Sequence, residues 1–332
     1  MNYNNSENNR NMIFNKHHPI TKEIRRNANI IGLGITSVNL ISIAVILAIY
    51  FLTRTFFSQS LTGSAYDLLE NLSSLIAYAI AFIVPTIFMV LLIRIPSEIA
   101  FPMRAPKLSL LIPGIFFCLG MSIVGVSLSE FVRVFLQSAF NLNPIMPDMT
   151  APGDLPSIII YVVNIVIFPA FLEEMMFRGV IMQSLRRFGD SFALITSAIL
   201  FAFVHGNLVQ GPNAFVMGLV IGYFVIRTGS LWTGVIIHFI NNGVAVAMDF
   251  VIRSSSPSAI TLIGLIMYVI YIGGGILSLI FLLAKNENMF RLNPSSLPMF
   301  ERQKYIRFFR SIMIIVVIII TIIITAGFLE RV

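Results

Sequence analysis

Nine apolar stretches alternate with shorter polar ones along the chain, at about 29–52, 74–96, 108–129, 155–178, 191–206, 212–228, 231–251, 258–284 and 311–328. A helix crossing a bilayer needs roughly 20 apolar residues, and most of these stretches come close to that length. The fifth, at about 16 residues, is the shortest helical segment of the set. The pattern predicts an all-α fold, a polytopic integral membrane bundle of about nine transmembrane helices, with seven to nine as the range. Nine crossings place the two termini on opposite sides.

The polar intervals divide the chain further. Residues 1–28 read as a polar cytosolic tail, its Asn-rich start (Met1 to Asn15) disordered. The apolar run that follows, about 24 residues long, suits a retained span better than a cleaved signal core. Residues 29–150 hold the first helices and an outer loop, 155–250 a candidate catalytic core, and 251–332 the last helices. The loop at 139–156, rich in proline and aspartate, is expected outside the cell. The basic loop at 285–309, with Pro294 and Pro298, is expected in the cytosol. Phe290, Phe300, Tyr305 and Phe308 would let that second loop rest on anionic lipid, and a solvated loop fits equally well.

Composition agrees with the spans. Of 332 residues 57% are hydrophobic and 11% charged, where a soluble domain carries about a quarter charged. The single cysteine, Cys118, rules out an internal disulfide and a cysteine-rich metal site. The net charge of +7 is explained by topology. With a cytosolic N-terminus, 18 of the 22 Lys and Arg residues fall inside, and only Arg54, Arg133, Arg253 and Arg331 fall outside. That asymmetry is the positive-inside signature and not a nucleic-acid footprint. A multi-pass protein of a cell membrane follows, here assigned to the bacterial plasma membrane.

Ionisable groups within spans are costly and are seldom kept without a partner or a role. Here they cluster. Glu173, Glu174 and Arg178 lie in the fourth span, His205 ends the fifth, and His238 sits in the seventh ahead of Asn241 and Asn242. Glu174 and Arg178 are four apart with the acid first, the favourable order for an ion pair on one helix face. Glu173 is rotated about 100° away and is left to face a cavity. At ~1.5 Å per residue from the basic ends of their spans, Glu173, His205 and His238 lie about 20, 22 and 16 Å deep, so three helices can bring them to one level. A partly desolvated carboxylate can act as general base toward water, with a histidine beside it. A second histidine and an amide can donate to the oxyanion of a tetrahedral intermediate. No serine or cysteine nucleophile accompanies the set, so activated water is the natural attacker.

The order EExxxR (Glu173, Glu174, Arg178), FxxxH (Phe201, His205) and HxxxN (His238, Asn242) resembles the CPBP family, the CAAX-prenyl-protease and bacteriocin-processing intramembrane proteases, also called Abi proteins. The resemblance covers about 155–250. It implies that Glu173 and His205 activate water, that His238 and Asn242 stabilise the oxyanion, and that Glu174, Arg178 and Phe201 are structural support. The family is often labelled metalloprotease, and Glu173, His205 and His238 would supply three ligands to a zinc with an open fourth position. The HExxH helix of common zinc proteases is absent, and the favoured reading needs no metal.

Three function classes fit. The first is an endopeptidase acting on a membrane-embedded or lipid-modified peptide or protein. The second is a catalytically silent scaffold, working through partners in bacteriocin immunity or regulation. The third is a proton-coupled transporter, which lacks the paired repeats and matched broken spans usual for that class.

Overall fold

In hydrocarbon every backbone N–H and C=O must be satisfied within its own segment, and the apolar stretches accordingly become helices. The computed structural model describes residues 18–57, 64–145, 154–285, 287–295, 297 and 299–331. Its helices are α1 (Pro19–Phe57), α2 (Ser64–Ile93), the short α3 (Ser97–Ala100), α4 (Leu108–Phe140), α5 (Leu155–Arg186), α6 (Asp190–Val204), α7 (Gln210–Thr228), α8 (Leu231–Ser254), α9 (Pro257–Lys285), α10 (Glu301–Phe309) and α11 (Ile312–Gly327). Two short strands, β1 (Leu142–Pro144) and β2 (Leu329–Arg331), pair antiparallel after α4 and α11. Asp154 starts α5 by accepting the Ser157 N–H at 3.0 Å, and that bond holds its carboxyl below the usual range.

Hydrogen bonds between loops define two ends of the bundle. At one end Arg26 Nη2 donates to Leu92 O (2.7 Å), Leu231 N to Pro102 O (2.8 Å) and Asp190 N to Asn293 O (3.3 Å). At the other, β1 meets β2, Asn207 Nδ2 donates to Ile145 O (3.1 Å), and Thr325 Oγ1 donates to Gly206 O (3.1 Å). Among the described residues nine helices therefore alternate in direction, and the described chain begins at the first end and finishes at the second.

Length separates these nine. Seven are long and apolar enough to span a membrane, and α10 with α11, bent by 68°, makes an eighth. The remaining segment, α6, has 15 residues, or about 22 Å of rise against a core of about 30 Å. Among the described residues the span count is thus seven or eight, within the expected range of seven to nine and below its upper figure. The reason is that α6 lies among other helices, not in lipid. Phe192, Ala193, Leu194, Thr196, Ser197, Ala198, Leu200 and Phe201 are all buried, so protein, not bilayer thickness, sets its length.

Two expected polar regions also belong to the bundle. Residues 19–28, read as tail, are the first turns of α1. Thr21, Ile24, Ala28, Ile31 and Ile35 are buried at helical spacing, an amphipathic face concealed by the charges around it. The disordered tail at Met1–Asn15 lies outside the described residues. In the basic loop, Tyr305 stacks edge-on against Phe192 (5.0 Å) and Phe308 is fully buried. They are core residues, and only Phe290 and Phe300 are exposed.

Small residues permit the closest contacts. A Cβ on Gly218 would meet Ala198 at 3.0 Å, and one on Gly222 would meet Leu194 Cδ1 at 2.7 Å, so the GxxxG of α7 packs on α6. A Cβ on Gly32 in α1 would lie 2.6 Å from the Met313 backbone carbon. Backbone cannot swing aside as a side chain does, so Gly32→Val should lower stability by about 1–3 kcal/mol. Thermal unfolding in detergent reads this, and an unchanged midpoint would contradict the packing of α1 on α11.

Candidate active site

The polar cluster depends on an irregular helix. Within α5 the turns Val163–Ile167, Pro169–Glu173 and Met175–Ile181 are π-helical, a widening that recurs at functional sites. Pro169 contributes to it: lacking an N–H, it gives nothing to the carbonyl four residues back, Ile165 O. Asn242 Nδ2 of α8 donates to that carbonyl at 3.0 Å, and Asn241 Nδ2 in turn donates to Asn242 Oδ1 at 3.2 Å.

Glu174 lies at the centre and is fully buried. Its Oε1 accepts from Arg178 Nη1 at 2.7 Å and pairs with His238 Nδ1 at 2.9 Å. Glycine at 234 allows this approach, because a Cβ there would stand 2.7 Å from Glu174 Oε2. The Arg178 guanidinium also lies 4.2 Å from the centroid of the Phe201 ring, a cation–π contact that compensates part of its lost hydration. The pair foreseen from the i,i+4 spacing is present, and His238 joins it as a third member.

Glu173 has a separate environment. Tyr78 of α2 donates its hydroxyl to Glu173 Oε1 at 2.6 Å, and His238 Nε2 stands 3.9 Å from Glu173 Oε2. With Nδ1 directed at Glu174, the other nitrogen of His238 faces Glu173. The imidazole thus lies between the two carboxylates and links them.

His205 closes the set at the end of α6. Its Nδ1 bonds Phe201 O at 2.8 Å, which assigns the proton to Nδ1 and leaves Nε2 free to accept. The Phe201 ring touches both histidines, 4.8 Å from the His205 ring and 6.1 Å from that of His238. The structure brings Arg178, His205 and His238 around the Phe201 ring and sets Glu173 and Glu174 at the two nitrogens of His238, but shows no hydrogen bond between His205 and Glu173. Among the described residues no three His, Cys, Asp or Glu side chains gather in a group able to hold a metal ion. Glu173, His205 and His238 do not form such a group in this arrangement.

Tyr78 escaped the sequence reading. A phenol in an apolar span looks like packing, and the available signal was its position. Tyrosine favours the membrane interface, whereas Tyr78 lies well inside the span Asn71–Ile93.

Removing one partner of a buried pair strands the other. Arg178→Ala should cost about 3–5 kcal/mol, and Gly234→Ala about 1–3 kcal/mol by forcing Cβ toward Glu174. Both are read as a lowered thermal midpoint of the purified protein. An Arg178→Ala protein as stable as wild type would remove the ion pair from its central place.

With this geometry in hand, comparison with known proteins gives three findings. Residues 155–244 match the family described as type II CAAX prenyl endopeptidase Rce1-like. An uncharacterised 24.3 kDa protein of Escherichia coli is 32% identical over 126 residues, 35% of this chain and 58% of that protein, so the chain spans somewhat over half of that relative's length. No solved structure matches. Residues 155–244, which carry both glutamates, Arg178, both histidines and Asn242, are thus similar to the Rce1-like family, and that match supports a CPBP family intramembrane protease.

Proposed function

We propose that the chain is an intramembrane endopeptidase that hydrolyses a peptide bond of a membrane-embedded or lipid-modified protein or peptide with activated water. The observation carrying this reading is the Glu173 carboxylate, nearly buried within a span yet held by Tyr78 on one oxygen and faced by His238 Nε2 on the other. Buried charge in a membrane is kept for a purpose, and an acid fixed by one bond with its second oxygen open suits a general base.

In this mechanism water is held between Glu173 and the free Nε2 of His205. Glu173 takes its proton as the hydroxide adds to the scissile carbonyl. His238 keeps Nδ1 on Glu174, which aims Nε2 at the reaction space, where an Nε2–H donates to the new oxyanion. Asn242 spends one Nδ2 hydrogen on Ile165 O and supplies the other. Glu173 then returns its proton to the leaving amine. The basic end of the bundle faces the cytosol of a bacterial cell in this proposal, since the charge asymmetry follows the positive-inside rule.

One observation favours the alternative of a silent scaffold. His238 and Asn242 both make structural bonds, to Glu174 and Ile165 O, so these residues would be retained for folding alone.

The two readings separate in cells expressing matched levels of wild type or variant, with new protein termini compared by mass spectrometry. Glu173→Gln should lower cleavage by a factor of about 10² or more, and the substrate is named by the termini that vanish. Identical termini in both cells, with any phenotype intact, would leave the scaffold standing. Tyr78→Phe should remain folded and lose about tenfold in cleavage rate; full activity would show that the phenol bond does not serve Glu173.

A further inference from the structure

A cavity of about 410 Å³ opens away from the catalytic cluster, at the end of the bundle where α1 begins and α2 and α5 finish. Glu23 and Asn27 of α1, Arg94 after α2, and Gln183, Ser184 and Arg187 near the end of α5 line it. Most of their bonding capacity is already used. Arg187 pairs with Glu23. Gln183 donates to Arg178 O (3.2 Å) and accepts from Arg186 Nη1 (3.1 Å), while Ser184 Oγ donates to Ile181 O (2.8 Å).

Two groups are left over. Asn27 is 4% exposed, yet its carboxamide makes no hydrogen bond among the described residues. The Arg94 guanidinium likewise has no partner among them. Arg94 also has a φ of 61°, at a helix end where glycine is the usual residue. A charged side chain is kept on a backbone that L-residues seldom adopt.

The charges at this cavity leave one positive unit. Glu23 neutralises Arg187, and Arg94 is in excess, which matches the single negative charge of a phosphodiester. Guanidinium offers two parallel donors to such an oxyanion, and the Asn27 amide adds a third from the cavity wall. The ends of spans lie at headgroup depth, where the phosphates of membrane lipids are found. We propose that this cavity is a binding site for the phosphodiester of a membrane phospholipid, held by Arg94 and Asn27. It stands apart from the protease reading, since none of its residues belongs to the proposed catalytic set.

Native mass spectrometry of the full-length protein in detergent tests this, with phosphatidylglycerol and the phosphate-free glycolipid monoglucosyl diacylglycerol as probes. Phosphatidylglycerol should be retained and the glycolipid lost. Arg94→Gly, which suits a positive φ and should fold, is expected to weaken retention about tenfold. Arg94→Lys, which keeps the charge and loses the paired donors, should restore only part of it, and Asn27→Ala should give a smaller loss. If soluble glycerophosphoglycerol, the same phosphodiester without acyl chains, displaces the lipid with the same dependence on Arg94, the phosphodiester chemistry stands and the source is not confined to lipid. Equal retention of both lipids, or indifference to Arg94→Gly, overturns the proposal.

Discussion

Glu174 cannot be solvated, and the core of this bundle is arranged around that constraint. One oxygen serves both Arg178, a turn further along α5, and His238 from α8. Stranding an ion in hydrocarbon is so unfavourable that three things must hold together: the rotation of α5, the depth of α8 and the absence of a side chain at residue 234. Such an interaction gives specificity more than stability, because the helices satisfy it in only one register. Phe201, beneath the guanidinium and against both imidazoles, extends the same registry to α6.

Fixing His238 in this way has a chemical corollary. An imidazole bonded at Nδ1 to a carboxylate presents Nε2 in a defined direction, and that direction is toward Glu173. Two adjacent acids thereby acquire different environments. Glu174 is enclosed by cations and dipoles, and Glu173 meets a phenol on one side and an imidazole edge on the other. Adjacent positions in the chain thus meet different neighbours, as the ~100° rotation between consecutive helical residues directs them to.

Much of this was legible in the residues. Each of the nine apolar runs corresponds to a helix, seven or eight of them long enough to span a membrane, and the spacing of Glu174 and Arg178 gave their pairing. Pairing across helices was less accessible. His238 meets Glu174 through tertiary packing across 64 positions, and no local rule reports it. The bond from Asn242 to Ile165 O depends on Pro169, whose effect is visible only when the partner helix is in place. Hydropathy failed where it averages over faces: residues 19–28 look polar because their buried positions are interleaved with lysine and arginine. It also overstated α6, since an apolar segment surrounded by protein is not measured against the bilayer.

Tyr78 belongs to none of the stretch between 155 and 244, yet its hydroxyl reaches the glutamate at the heart of that stretch. Heredity and geometry therefore draw different outlines. The recognisable segment is not a portable module: transplanted into a foreign set of helices, it would carry its motifs and leave behind the neighbour that holds its principal acid. Conversely, the helix Ser64–Ile93, which reads as a generic membrane anchor, supplies the hydroxyl that holds that acid. A search tuned to the motifs alone would pass over this part of the molecule.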